Sequence, residues 1–170
     1  MLGFSAPFGG LTIMPVMGAW NVPPDRTYAS PYDKTTEKAS PGYYSVFFPD
    51  TGIRTELATT ERTGFYRFTF PESDRSTVLL DLGAGDNSIE IVGDRIVRGR
   101  GGRGGRSFVA EFSKPFKFFG TFRQHPPRLE GARVRRDDAI YAGERNASGS
   151  YAGAFLEFAT AKDEVVLVRV

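Results

Sequence analysis

The chain has 170 residues, 40% of them hydrophobic and 14% aromatic, and its 22 basic and 20 acidic side chains leave a formal net charge of +2. That is enough apolar sequence for one domain with a buried core, which excludes wholesale disorder, and the near-balance of charge gives no global attraction to a polyanion despite a sequence pI near 9.0. The absence of cysteine excludes disulfides, a thiol nucleophile and thiolate metal sites, and no run of about eighteen apolar residues is present to span a bilayer.

Strand signals recur at short spacing along the chain, and helical periodicity is nearly absent. Residues 17–40 contain Val22-Pro23-Pro24 and Ser30-Pro31, which cannot hold a hydrogen-bonded ladder, and read as a surface loop. The stretch from Glu37 to Pro71 reads as three strands. Pro49-Asp50-Thr51-Gly52 should close a hairpin between Tyr43–Phe48 and Ile53–Thr60, and Tyr66, Phe68 and Phe70 alternate with Phe65, Arg67 and Thr69. Val78–Leu82 (VLLDL) is more continuously apolar than the alternating strands, as expected of a central strand covered on both faces, and Val165–Val170 behaves similarly.

Gly83–Asn87 and Val92–Asp94 are turns, leaving Ser88–Val92 and Arg95–Arg98 as an antiparallel pair. The run from Arg98 to Arg106 reads as a mobile hairpin loop, followed by strands at Ser107–Phe112 and Pro115–Phe122. Residues 123–150 read as loop, with a strand break at Gln124–Pro127 and turn chemistry at Asn146–Gly149. The last pair is Ala152–Thr160 with Glu164–Val170 across Ala161-Lys162-Asp163. Many short strands with frequent turns predict an all-β fold, an antiparallel two-sheet sandwich.

Several residue groups invite functional readings. The arginine-glycine run resembles RNA-binding segments, but it is short and has no interleaved aromatic, so a loop is preferred and no nucleic-acid partner is expected. His125 is the sole histidine, so this chain alone forms no multi-histidine metal site. Glu111 fits an outward position on its strand, and Asp137-Asp138 after Arg135-Arg136 fits a solvated charge cluster. Neither fixes a pair of carboxylates at the separation that acid–base catalysis across a scissile bond would need.

Some stretches also carry a family resemblance. Lys38–Val46 (KASPGYYSV), Gly52-Ile53, Thr55–Thr59, Arg62–Arg67, Thr69-Phe70-Pro71 and Phe108–Phe116 together resemble the N-terminal β-sandwich of glycoside hydrolase family 92, the calcium-dependent exo-acting α-mannosidases. Gly3-Phe4-Ser5 and Leu11–Pro15 look like the segment before that pattern, while Ala154–Leu156 and Glu164–Val170 look like the domain's last strands. The resemblance implies that residues 1–170 are an incomplete sandwich of the kind seen in galactose mutarotase, truncated at its start and followed in the full protein by a helical catalytic domain.

For the full protein the resemblance implies hydrolysis of terminal α-linked mannose with inversion. A glutamic acid would act as general acid, an aspartate as general base through water, and a calcium ion would hold the sugar hydroxyls. It places none of the catalytic carboxylates or metal ligands in this chain, so residues 1–170 alone are expected to be inactive. Its implied partners are the catalytic domain and a mannose-containing glycan, without a membrane, and the expected location of the full protein is secreted or periplasmic.

In the family the sandwich lends loop residues to the substrate pocket, which directs attention to Gly3–Trp20 and nominates Phe4, Ser5 and Trp20 as substrate-binding. Trp20 suits a sugar's apolar C–H face, or alternatively anchors its own loop on the sandwich. Relatives follow Gly-Phe-Ser with a histidine-containing, glycine-rich segment, where this chain has Ala6-Pro7-Phe8-Gly9-Gly10. The contacts of those histidines do not carry over. A non-catalytic carbohydrate-binding or scaffold module is the competing reading.

Overall fold

The computed structural model describes residues 4–5, 10–20, 28–101, 105–123, 128–130, 133–135 and 139–170, with 4–5, 128–130 and 133–135 described by backbone alone. In chain order the strands are β1 (Phe4–Ser5), β2 (Thr12–Met17), β3 (Lys38–Ser40), β4 (Tyr43–Phe48), β5 (Ile53–Thr59), β6 (Gly64–Phe70), β7 (Ser73–Asp81), β8 (Ser88–Val92) and β9 (Ile96–Gly101). They continue with β10 (Arg106–Phe112), β11 (Phe118–Arg123), β12 (Arg128–Glu130), β13 (Arg133–Arg135), β14 (Ala139–Ala142), β15 (Asn146–Ser148), β16 (Ala152–Thr160) and β17 (Glu164–Arg169). A 3-10 turn at Lys34–Thr36 starts on Asp33, whose carboxylate accepts from the Thr35 backbone N–H at 2.8 Å.

Two antiparallel sheets face each other, as the strand pattern predicts. Their orders are β1-β2-β7-β16-β11-β14 and β15-β8-β9-β10-β17-β6-β5-β4-β3, with β12 and β13 forming a separate hairpin. Alternation on β6 sets the inner face. Tyr66, Phe68 and Phe70 are buried while Phe65 and Arg67 are exposed. From the opposite sheet Val78, Leu80, Leu156 and Phe158 join Ile53, Phe112 and Val166 in one core, and each fully buried aliphatic or phenylalanine side chain contributes roughly 1.5–3 kcal/mol. The Phe112 and Phe158 rings stack across the gap with centroids 5.9 Å apart.

Where the structure departs from the sequence expectation, the cause is non-local pairing. β16 and β17 are not a hairpin. The turn through Asp163, whose φ is 60°, carries the chain from the six-stranded sheet into the nine-stranded one, where β17 lies between β10 and β6. β7 is covered on both faces as its composition predicts, but β17 is not: Val166 and Val168 are buried while Val165 and Leu167 are only half-buried. At both ends of the arginine-glycine run the described residues are ladder rather than loop, with Arg100 opposite Ser107 and Gly101 opposite Arg106.

The segment expected to be loop after residue 123 includes β14, paired with β11, and β15, paired with β8; Asn146–Ser148 is therefore strand despite its turn composition. The loop expected over 17–40 likewise contains the 3-10 turn and β3, so the stretch from Glu37 to Pro71 holds four strands rather than three. The strand expected from Pro115 begins at Phe118.

Tyr66 has a testable alkaline signature. Its ring lies 6.0 Å from Phe68, and burial pushes the phenol up from 10.0 to about 12. The folded chain then holds this proton more tightly than the unfolded chain, so the contribution is full below pH 10.0 and is lost as the pH rises towards about 12. Across that window Tyr66→Phe should show a shallower loss of stability by circular dichroism than the parent chain. An identical alkaline limb in the two proteins would contradict the burial assigned to this phenol.

Candidate functional site: the outer face of the six-stranded sheet

The outward side of a sandwich sheet is ordinarily polar, because it meets water. Here the outward side chains of three adjacent strands, Leu79 on β7, Phe155 on β16 and Phe122 on β11, form a second buried cluster, against which Val16, Trp20, Tyr28 and Ile140 pack. Two reciprocal cross-strand pairs make this flat packing possible. Gly120 lies opposite Phe155, and Gly153 lies opposite Phe122. A Cβ on Gly120 would come within 2.5 Å of the Phe155 ring, and one on Gly153 within 2.1 Å of the Phe122 ring. Each ring therefore lies across the glycine of its neighbouring strand.

The residues flanking this cluster on the N-terminal side are tied down at several points. The Gly18 N–H donates to the Arg75 carbonyl at 2.8 Å, and the Gly18 carbonyl accepts from Thr77 Oγ1 at 2.7 Å. The Trp20 N–H donates to Glu157 Oε1 at 3.2 Å, and Tyr28 Oη donates to Asp81 Oδ2 at 2.8 Å. The Trp20 and Tyr28 rings meet edge-on, with centroids 6.3 Å apart. The indole Nε1 is buried and takes no partner among the described residues. Trp20 thus does what a loop anchor does, and it also lines a cleft.

That cleft, about 370 Å³, is bounded by Trp20, Arg75, Phe118, Ile140, Phe155 and Glu157 among others. Phe118 is 50% exposed, and the Arg75 guanidinium carbon stands 5.6 Å from its ring centre. Glu157, only 5% exposed, sets Oε2 3.8 Å from Arg75 Nε. The cleft thus sets aromatic faces beside two cations, Arg75 and Lys117, and one fixed carboxylate. It does not suit hydrolysis, since Glu157 is the one carboxylate among the described lining residues and two are needed.

Phe4 and Ser5 lie elsewhere. β1 pairs them with Ile13 and Thr12 on the sheet edge, while Trp20 follows the other end of β2 after Met17. The described backbone therefore does not gather the three nominated residues at one point. His125 and Asp137-Asp138 lie outside the described residues. Glu111 is exposed and pairs with Arg169 at 2.5 Å, as an outward strand position predicts.

In the arginine-glycine run, Arg98 Nε and Nη2 grip Glu90 at 2.8 and 3.1 Å, and Arg100 Nε donates to the Gly105 carbonyl at 2.7 Å. Among the described residues no three His, Asp or Glu side chains gather in one place. Sequence reasoning missed Arg75, Phe118 and Glu157. The available signal was Glu157 itself, a carboxylate inside the otherwise apolar run Ala152–Phe158.

The architecture is that of a β-sandwich domain whose six-stranded sheet is apolar on both faces and carries an aromatic, charged cleft on the outer one. The chain belongs to the glycosyl hydrolase family 92 N-terminal domain family, whose model matches residues 2–170. Among solved structures it is similar to a family GH92 inverting mannosidase from Bacteroides thetaiotaomicron VPI-5482, at 26% identity with a TM-score of 0.78, covering 94% of this chain and 21% of that one. It is also similar to a family GH92 α-mannosidase from Bacteroides thetaiotaomicron, at 27% identity with a TM-score of 0.73 over 94% of this chain and 23% of that one.

A structure of the latter enzyme in complex with mannoimidazole matches at 28% identity and a TM-score of 0.73, with coverage of 94% and 22%. This chain thus spans little more than a fifth of the length of these enzymes. No curated protein matches it.

Proposed function

We propose that residues 1–170 are the N-terminal sandwich of an α-mannosidase that removes terminal α-linked mannose, and that they support a helical catalytic domain of the same polypeptide and line part of its substrate pocket. The observation that carries this reading is the family match over residues 2–170, combined with coverage of only 21–23% of mannosidases of that family. The acid and base carboxylates, and the oxygen ligands for a calcium ion, belong on this reading to the catalytic domain. Calcium would supply flexible multi-oxygen coordination of sugar hydroxyls. Within the present chain, Trp20 offers an apolar ring face, while Glu157 fixes its backbone N–H.

The test is kinetic, in the protein that carries both domains. Trp20→Ala should raise KM for an aryl α-mannoside about tenfold with a smaller change in kcat, and Trp20→Phe should recover part of the loss. An unchanged KM in a folded Trp20→Ala variant would reduce Trp20 to an anchor for its own segment.

A further inference from the structure

We propose that Asn146 is an acceptor for an N-linked oligosaccharide, a covalent modification site on the outermost strand of the nine-stranded sheet. The chain has three asparagines, Asn21, Asn87 and Asn146, and only Asn146 is followed two residues on by a hydroxyl, in Asn146-Ala147-Ser148. Oligosaccharyl transfer recognises that spacing, because the hydroxyl of the third residue is read together with the carboxamide of the first, provided the middle residue is not proline. Glu144, two residues before Asn146, completes the longer acidic form of this acceptor, Glu-x-Asn-x-Ser, which bacterial transferases use.

The fold offers to solvent the residues that such an enzyme reads. Glu144, Asn146 and Ser148 are exposed, while Ala147 is half-buried opposite the core residue Ile89 of β8. The residues between do the anchoring. The Arg145 guanidinium donates to the Ile91 and Gly93 carbonyls at 3.2 and 2.7 Å and lies 4.4 Å from the Phe119 ring centre. The Arg145 carbonyl accepts from the Ile91 N–H, and the Gly149 N–H donates to the Asn87 carbonyl, both at 2.8 Å, so the odd-numbered residues carry the ladder to β8. The main-chain groups of Asn146 and Ser148 consequently face away from β8, along the open side of an edge strand.

Nothing in the packing calls for an asparagine at this position, a residue type that strands disfavour. Its cross-strand neighbour Glu90 is already held by Arg98 through hydrogen bonds of 2.8 and 3.1 Å, and the Asn146 carboxamide takes no partner among the described residues. Asn87 is the contrast. It is 2% exposed, its amide donates to the Gly83 carbonyl at 2.7 Å, and Ile89 stands where an acceptor would need a hydroxyl. The Ser148 hydroxyl meets Arg123 Nη2 at 3.4 Å, longer than an ordinary hydrogen bond, so an enzyme displaces little in reaching it. An open edge strand is also a template for unwanted pairing, and a glycan at Asn146 would cover this one, which has neither lysine nor proline to blunt it.

In the transfer, Nδ2 of Asn146 attacks C1 of an oligosaccharide carried on a polyprenyl pyrophosphate. The C1–N bond forms as the C1–O bond to the pyrophosphate breaks, the pyrophosphate leaves with that electron pair, and the proton given up by Nδ2 passes to solvent. Such transfer acts on exported chains, so export is part of the proposal. The experiment sends the 170-residue chain to the periplasm of a bacterial host that supplies an oligosaccharyltransferase of the acidic-acceptor type and its lipid-linked donor, and analyses tryptic peptides by mass spectrometry. A glycan is expected on the peptide of residues 146–162. Asn146→Gln and Ser148→Ala should each abolish it, Glu144→Gln should lose it in this host, and Ser148→Thr should keep it. The glycosylated chain should retain the circular dichroism and urea midpoint of the parent.

An unmodified 146–162 peptide, in cells that glycosylate a control acceptor of the same sequence type, overturns the inference. So does a glycan that persists in the Asn146→Gln chain. Modification confined to chains that fail to fold also overturns it, because β15 would then not present the acceptor. Turnover by the two-domain protein is measured separately and without the glycan, so failure here leaves the proposed function standing and failure there leaves this acceptor standing.

Discussion

Replacing Gly153 with alanine should lower the stability of the chain by about 3 kcal/mol or more, the upper part of the range for overpacked sites. The added methyl would sit 2.1 Å from Cζ of Phe122 and 2.5 Å from the Leu80 carbonyl oxygen. The first neighbour is a ring that can swing only into the Leu79–Phe155 cluster. The second is backbone of β7, fixed by its ladder with β16. Urea unfolding should show a lower midpoint at unchanged slope.

Phe122→Leu in the Gly153→Ala background should recover roughly 1 kcal/mol but not all of the loss, because the clash with the Leu80 carbonyl persists. A Gly153→Ala chain within about 0.5 kcal/mol of the parent would show that the Phe122 ring does not lie across β16. The consequence reaches the candidate site, because a displaced Phe122 pushes on the surface against which Trp20 and Tyr28 pack.

The parts of this fold that were legible in the sequence are those with local causes. Tyr66, Phe68 and Phe70 declare their common face by alternation, and the Pro49–Gly52 turn gives the register Phe48 to Ile53, with Gly52 at φ 71°. β7 shows its double coverage in its composition. Partner choice had no such local mark. Nothing in Ala161-Lys162-Asp163 distinguishes a hairpin from a crossing between sheets, and the polar residues of β15 become strand only because β8 offers them a ladder.

The site divides in the same way. Trp20 stands out as the lone tryptophan, but Glu157 is 137 residues away, and their meeting depends on the position of β16 in the sheet order. Gly99, Gly120 and Gly153 look in sequence like weak points of their strands, whereas in the structure they are the places where an aromatic ring from the next strand lies down.

The remaining large effect is all-or-none. If the chemistry belongs to a partner domain, the purified 170-residue chain should not turn over an aryl α-mannoside at any calcium concentration, while the same residues joined to the proposed catalytic domain should do so in a chelator-sensitive manner. The sandwich alone offers one carboxylate in its outer cleft and no three-ligand acidic or histidine cluster among the described residues, against a reaction that needs a positioned pair. The decisive measurement is therefore mannosidase turnover by the two proteins side by side, with and without chelator. Activity only in the joined protein, lost on chelation, is the predicted result; chelator-sensitive turnover by residues 1–170 alone, or none by the joined protein, would contradict it.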